Sequence, residues 1–548
     1  MLIDTIHGRL CDKSEQASAF EKTPTFTELI SSMTTHIDHA HIEHEVGKYF
    51  RYATFSHKWE DNEPLFAKVI KVVVYDLEAS PTHLKLQMFC KIVREAGFNW
   101  AWSDTCCIDK GDHFVLQEAL VSMFKWYEQS AMTIIFLRGV DRLAKQGALT
   151  RSIWNMRAWT LQEYHASKVV RIYTQDWTPY LGLDVHNHKD SPAIVSEMEE
   201  ATGISAQALM ELRPGLDNIR EKLRLASTRQ STRTEDAAYS LLGIFSLSLS
   251  ITYGEGDKAL GRLLAQLLAS SGDTSILAWT GRCNTFNSCL PSDITVFYHP
   301  PTSHIPPSIS DSEMVSITSR LCSLNFTLLT TLYDRVHELL VPSFSGRRMR
   351  LPCLTFKVGQ VLVSRNESRR FRAQTKALGI VEIQTQEDLY QLGSLSLVHP
   401  WIDFLLDRQP VGSVPATITE ENADNSSVLD DLPSFPSPSN VTLTTWQTRT
   451  AELTSRIGLP FDSRSTLNDD ASLLPPSTVS PEEKHMLVLQ FIARLRQPFG
   501  ALLLTPTRRN IDEYRRVASE SLIKVQVKEI TSEILEKLIY SVRMLDVL

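Results

Sequence analysis

Residues 100–137 read WAWSDTCCIDKGDHFVLQEALVSMFKWYEQSAMTIIFL, and they set the fold class. Trp100 to Ile108 is an apolar run that predicts a strand. Phe114 to Gln129 places Leu116, Leu120, Met123 and Tyr127 on one face at helical spacing. Met132 to Leu137 is a short apolar run bounded by Arg138 and Gly139, which predicts a buried strand. Two strands joined by a helix pair in parallel and carry the helix on a sheet face. Upstream, Tyr52 to Ser56 predicts a buried strand. Pro81 to Ala96 predicts a helix with Leu84, Met88, Phe89, Ile92, Val93 and Ala96 on one face and Gly97 as its stop. Downstream, Trp154 to His165 reads as helix and Val169 to Tyr173 as strand. Residues 49–175 are therefore expected to form an α/β domain, a parallel sheet with flanking helices.

The rest of the 548 residues divides around that domain. Residues 1–48 are polar and His-rich, with no clear strand. Residues 176–282 read as a helical extension. In it Thr234 caps one helix and Asp257 another, whose stripe is Leu260, Leu263, Leu264, Leu267 and Leu268 before Gly272. Residues 283–412 hold short runs such as Val361–Val363 and Gly379–Ile383 and predict a strand-rich region. Residues 413–445 read as a flexible linker. Residues 446–548 are expected to be α/β or helical.

Composition excludes some functions. Lys plus Arg is 56, Asp plus Glu is 64 and the net charge is −8, so no nucleic-acid partner is expected. No run approaches the roughly 18 apolar residues of a membrane span. The first residues lack the apolar core of a signal peptide. The 8 Cys form no CxxC pair. Free thiols in a reducing, cytoplasmic setting are the expectation.

Several residue groups invite chemistry. His36, His39, His41 and His44 have helix spacings that could ligate a metal, but the simpler reading is a solvated polar helix, and no metal is expected. Gly254-Glu255-Gly256 resembles half a phosphate loop; a turn before a helix explains both glycines. Cys106 and Cys107, expected on opposite sides of a strand, read as packing residues. Three segments stand out: 51–59, 100–110 and 157–163. Ser56 and His57 end the first strand and Asp109 the second, at the sheet edge where ligand crevices open. Glu163, on a helix able to close over that edge and walled by Trp159, would have a raised pKa. The alternative is that these groups only cap helices and bind loops.

These segments resemble, in order, the heterokaryon incompatibility (HET) domain of fungal proteins. The opening block is Tyr52/Ser56/Trp59, the central block Trp102/Asp104/Cys107/Ile108/Asp109, and the closing block Arg157/Ala158/Trp159/Thr160/Gln162/Glu163. Residues 123–127 and 131–134 match the intervening helix and strand. Residues 231–245 and 252–259 resemble the helical extension that commonly follows. The Cys106-Cys107-Ile108-Asp109-Lys110 block is most like the basidiomycete branch. The resemblance covers about residues 49–282. One departure is Glu60, where many members have Gly after the tryptophan.

The resemblance implies fungal nonself recognition, with growth arrest or cell death as its outcome. It also implies a TIR/flavodoxin-like sheet, since the family is distantly similar to TIR domains, some of which hydrolyse NAD with one glutamate. On that analogy Glu163 and Ser56 are the candidate catalytic residues, and Trp59, Trp102, Asp104 and Asp109 the candidate ligand-binding ones. Tryptophan would stack on a base and the aspartates would position ribose hydroxyls. NAD is then a substrate and no resident cofactor is expected. The alternative is a noncatalytic module that self-associates through this domain and binds protein partners.

Overall fold

The computed structural model describes residues 1–33, 37–298, 325–338, 342–363, 369–400, 481–507, 512–528 and 530–548. The linker expected at 413–445 and His36 lie outside the described residues. The described residues are mixed α/β, with two sheets.

The first sheet is built from β1 (Leu2–Asp4), β2 (Leu10–Cys11), β3 (Tyr52–His57), β4 (Trp100–Ser103), β5 (Met132–Leu137) and β6 (Val170–Thr174), in the order β2-β1-β4-β3-β5-β6. β4, β3, β5 and β6 are parallel, as their apolar runs predict. Every residue of β5 is buried, as expected for a strand covered on both faces. β1 and β2 correct the reading of residues 1–48 as strandless. β1 pairs antiparallel with both β2 and β4. At three and two residues these strands are too short to show alternation.

Among the helices, α1 (Lys13–Glu21), α2 (Pro24–Met33) and α3 (His39–Phe50) precede β3. His39, His41 and His44 are exposed on α3. A short turn, α4 (Phe66–Val69), and α5 (Pro81–Glu95) join β3 to β4. Ser80 caps α5 through the His83 amide and Pro81 starts it, but its buried side is Leu86, Phe89, Cys90 and Val93, and Leu84 is 49% exposed. The predicted face is thus rotated. α6 (His113–Gln129) joins β4 to β5, with Asp112 capping Phe114 and Val115. α7 (Trp159–Ala166) precedes β6 and begins five residues later than the sequence suggests, because 154–158 is a series of turns.

β4 ends at Ser103, not at Ile108. The Cys107 amide donates to the Ser103 carbonyl at 2.9 Å, so the chain turns where its apolar residues suggest extension. Cys106 and Cys107 pack in the core from this turn and not from opposite faces of a strand.

The extension comprises α8 (Pro192–Thr202), α9 (Ala206–Glu211), α10 (Ile219–Ser227), α11 (Asp236–Tyr239) and α12 (Lys258–Ser271). The five leucines of α12 are buried as predicted, and Gly272 takes the left-handed cap position at φ 72°. Asp257 does not cap α12; its carboxylate binds the amide and hydroxyl of Thr285. One hydrophobic cluster runs from β3–β5 through α6 into α10 and α12.

The second sheet gathers β7 (Ser343–Ser345), β8 (Arg348–Val363), β9 (Arg370–Thr375), β10 (Gly379–Gln384), β11 (Ser396–Pro400), β12 (Phe499–Pro506), β13 (Glu513–Val517), β14 (Ile523–Val525) and β15 (Val542–Val547). Pairings run β8–β11–β12–β13–β15 and back to β8, a closed circuit. α13 (Phe326–His337), α14 (Pro481–Leu495) and α15 (Ser532–Ser541) pack beside it, sharing a second cluster. Strands from both sides of residues 401–480 therefore interleave.

Arg516 of β13 ties this sheet to the extension. Its buried guanidinium donates to the carbonyls of Leu277 (2.9 Å) and Trp279 (2.7 Å) and lies 3.8 Å from the Trp279 ring centre. Arg516→Ala strands those carbonyls without donors, and we expect a loss of about 3 kcal/mol in urea unfolding.

Candidate functional site

β3 is buried along nearly its whole length and ends in polar residues, so its carboxyl end delivers Ser56 and His57 to the sheet edge. Ser56 is fully buried. Its hydroxyl donates to Glu163 Oε2 at 2.5 Å and accepts from Trp154 Nε1 at 2.7 Å. The 154–158 turns and α7 thus bring the indole and the carboxylate to one oxygen. The extension fixes those turns: the Ala158 amide donates to the Gln230 carbonyl (2.8 Å), and the Gln230 amide to that of Met156 (2.6 Å). Buried Arg229 completes the clamp, donating to Thr160 Oγ1 (2.9 Å) and Asn155 Oδ1 (3.2 Å).

Glu163 is 3% exposed and borders a cavity of about 630 Å³. That size suits a small-molecule ligand, for which pockets run roughly 300–1,000 Å³. Burial pushes the Glu163 carboxyl up to about 7; Arg157 opposes this, Asp104 adds to it, and the Ser56 hydroxyl opposes it. Ser56→Ala removes the hydroxyl that favours the anion. The expected result is a further rise of about one unit, read from a pH titration of the Glu163 carboxyl by NMR.

Trp59 and Asp104 line the same cavity, and the Trp59 indole donates to Asp104 Oδ2 at 2.9 Å. Burial raises the Asp104 carboxyl, with Lys110 and Arg157 opposing. Two expected residues lie elsewhere. Trp102 is in the core, edge-on to Trp126 (5.4 Å) and Tyr127 (5.5 Å), and does not line the cavity. Its indole therefore offers no open face for stacking. Asp109 accepts from the Gly111 amide at 2.9 Å in an exposed turn, also off the cavity wall. Because β4 stops at Ser103, Asp109 does not end a strand.

His57 is buried and stacked on Phe55 at 4.2 Å, with Nε2 3.6 Å from Glu63 Oε1. Burial holds it neutral, its pKa well below the ordinary value. Arg157 donates to its carbonyl. Glu60 shapes the turn after Trp59: its carboxylate accepts from Lys85 (3.1 Å) and pairs with Arg138 (3.2 Å).

The extension adds residues that the sequence placed only in a helical appendage. Arg233, Asp236 and Tyr253 line the cavity facing Trp159. The Tyr253 hydroxyl donates to Asp236 Oδ1 at 3.0 Å, and the Trp159 indole also binds Asp236. Gly254 and Gly256 donate their amides to Glu235 Oε1 at 2.8 and 2.9 Å. The half phosphate loop is thus filled by the protein's own carboxylate. Among the described residues no group of three or more His, Cys, Asp or Glu is placed to hold a metal. No helix among them is long and apolar enough to cross a membrane.

Residues 52–148 match the family model of the heterokaryon incompatibility protein (HET). Those residues are thus similar to a heterokaryon incompatibility domain, and they supply the sheet edge on which the cavity sits. Over 238 residues it is 32% identical to the vegetative incompatibility protein HET-E-1 of Podospora anserina, a match covering 41% of this chain and 17% of that protein. The chain thus spans about a sixth of the length of the curated relative it matches. No solved structure matches.

Proposed function

We propose that this protein acts in fungal nonself recognition and triggers growth arrest or cell death by cleaving NAD at the cavity. The observation that carries the reading is Glu163, a buried carboxylate near neutral pKa, held by Ser56 on a ligand-sized cavity. Its relative is named for vegetative incompatibility, which supports the biological part.

In the reaction, the bond from the ribose anomeric carbon to the nicotinamide nitrogen breaks. Its electron pair leaves with neutral nicotinamide. The ionised Glu163 stabilises the oxocarbenium-like ribose, as carboxylates do in glycoside hydrolysis. Water adds to that carbon and releases a proton, giving ADP-ribose. Ser56 orients the carboxylate, and Trp59 and Asp104 line the ligand space; Trp102 and Asp109 support the fold around it.

The TIR/flavodoxin-like fold is part of this proposal. The four parallel strands run second, first, third, fourth across the sheet, which begins the flavodoxin-like order 2-1-3-4-5. Residues that follow β3 (Lys58, Trp59) and β4 (Asp104, Ile108, Lys110) line the cavity, so it opens at the carboxyl ends of the parallel strands, the edge where such sheets bind ligands. A cytoplasmic setting belongs to it as well, and the described cysteines are free thiols. The basidiomycete assignment rests on residues 106–110 alone.

The test is expression in a heterologous fungal host. Wild type should arrest growth and deplete cellular NAD, and Glu163→Ala should do neither. Arrest that survives Glu163→Ala without NAD loss supports the noncatalytic, self-associating module instead.

A further inference from the structure

The cavity wall holds a buried ammonium, Lys110 Nζ, that donates no hydrogen bond among the described residues. It sits 3.3 Å from the centre of the Trp59 ring. The ring supplies cation–π attraction but accepts none of the three ammonium protons in the ordinary way. The cavity's carboxylates accept hydrogen bonds from other groups: Asp104 from the Trp59 indole, Glu163 from Ser56 and Asp236 from Tyr253; Asp104 acts on Lys110 through its charge, without a hydrogen bond. Arg233, from the extension, also lines the cavity, its guanidinium 4.2 Å from the Tyr253 ring centre. A buried ammonium without acceptors is costly to leave unpaired, and it stays charged most readily where an anion completes it.

We infer that Lys110 is the anion-binding group of the cavity, and that with Arg233 on the same cavity wall the site takes a phosphoryl ligand, the diphosphate of a dinucleotide. This rests on the reading of the cavity as the NAD site and assigns the part of the ligand remote from Glu163. The Trp59 face under Lys110 is covered, so Trp59 serves here as the platform for the ammonium and not as a base-stacking surface on that side. Each ammonium–phosphate hydrogen bond is charge-assisted.

The test is calorimetric binding of ADP-ribose and of adenosine, which lacks the diphosphate, to the full chain. ADP-ribose should bind at least about tenfold more tightly than adenosine to wild type. Its affinity should fall as salt rises, and that of adenosine should not. Lys110→Met should weaken ADP-ribose at least about tenfold and leave adenosine unchanged; Lys110→Arg, which keeps the charge, should recover part of the loss. Equal binding of the two ligands to wild type overturns the inference even if Lys110→Met fails to fold. Wild-type affinity for ADP-ribose in folded Lys110→Met also overturns it. Lys110-dependent ADP-ribose binding without nicotinamide release leaves the anion site standing and removes the NAD-cleavage reading.

Discussion

Glu163→Gln is expected to give a protein that is more stable than wild type at pH 8 and has lost NAD cleavage. The glutamate titrates near 4.5 unfolded and near 7 folded, because burial disfavours its charge. Between those values the folded chain keeps a proton that the unfolded chain has released. Stability therefore falls as pH rises from about 4.5 to about 7, and the penalty is constant above that. The shift corresponds to about 3 kcal/mol at pH 8. Glutamine mimics the protonated, uncharged form and escapes the penalty. Urea unfolding of both proteins at pH 4 and pH 8 checks this. The two should be similar at pH 4 and separate at pH 8; a difference that does not change with pH would refute it. In the proposed reaction the carboxylate that destabilises the fold is also the one that charges the reacting carbon's surroundings, so the gain in stability should come with a loss in rate of at least about 100-fold.

Gly243→Ala should be the most damaging small substitution in the extension. A Cβ there would lie 2.2 Å from Phe124 Cβ and 2.6 Å from Phe124 Cγ. Phe124 is on α6, which shows Leu116, Leu120 and Met123 to the cavity. The missing side chain lets residues 241–246 press onto α6 and keeps the extension seated on the sheet domain. Neither backbone nor ring can shift by more than a few tenths of an ångström in a close-packed core. We expect a loss of about 3 kcal/mol in urea, with faster proteolysis between residues 228 and 257. Gly47→Ala is the matching control. It lies exposed in α3 with nothing within 4 Å of its added Cβ, and should gain about 0.5–1 kcal/mol from helix propensity.

The sequence is most legible where one residue type fills one environment. β3 and β5 are buried on both faces, so their runs of apolar residues show through directly. β4 is overread because Cys106, Cys107 and Ile108 are as apolar as a strand, and only the hydrogen bond from Cys107 back to Ser103 reveals the turn. The face of α5 is misjudged because Lys85 is buried in an ion pair with Glu60 and Glu63, while Leu84 faces out. In the site, Ser56 and Glu163 meet across 107 residues, as their places at a strand end and on a covering helix suggest. Arg233, Asp236 and Tyr253 carry no such signal. They reach the cavity because Gln230 pairs with Arg157 in an isolated bridge, a contact with no periodicity to announce it. The family resemblance marked residues 231–245 and 252–259, but as an appendage; the packing makes them a wall.

If Glu163 works on a glycosidic bond in this cavity, as proposed, the protein releases nicotinamide from NAD. The 548-residue chain at pH 7.5, concentrated enough to self-associate, is incubated with NAD and the products are separated by chromatography. Wild type should yield equal amounts of nicotinamide and ADP-ribose, and folded Glu163→Gln at least about 100-fold less. Intact NAD with folded wild type, or release by Glu163→Gln at the wild-type rate, would contradict it.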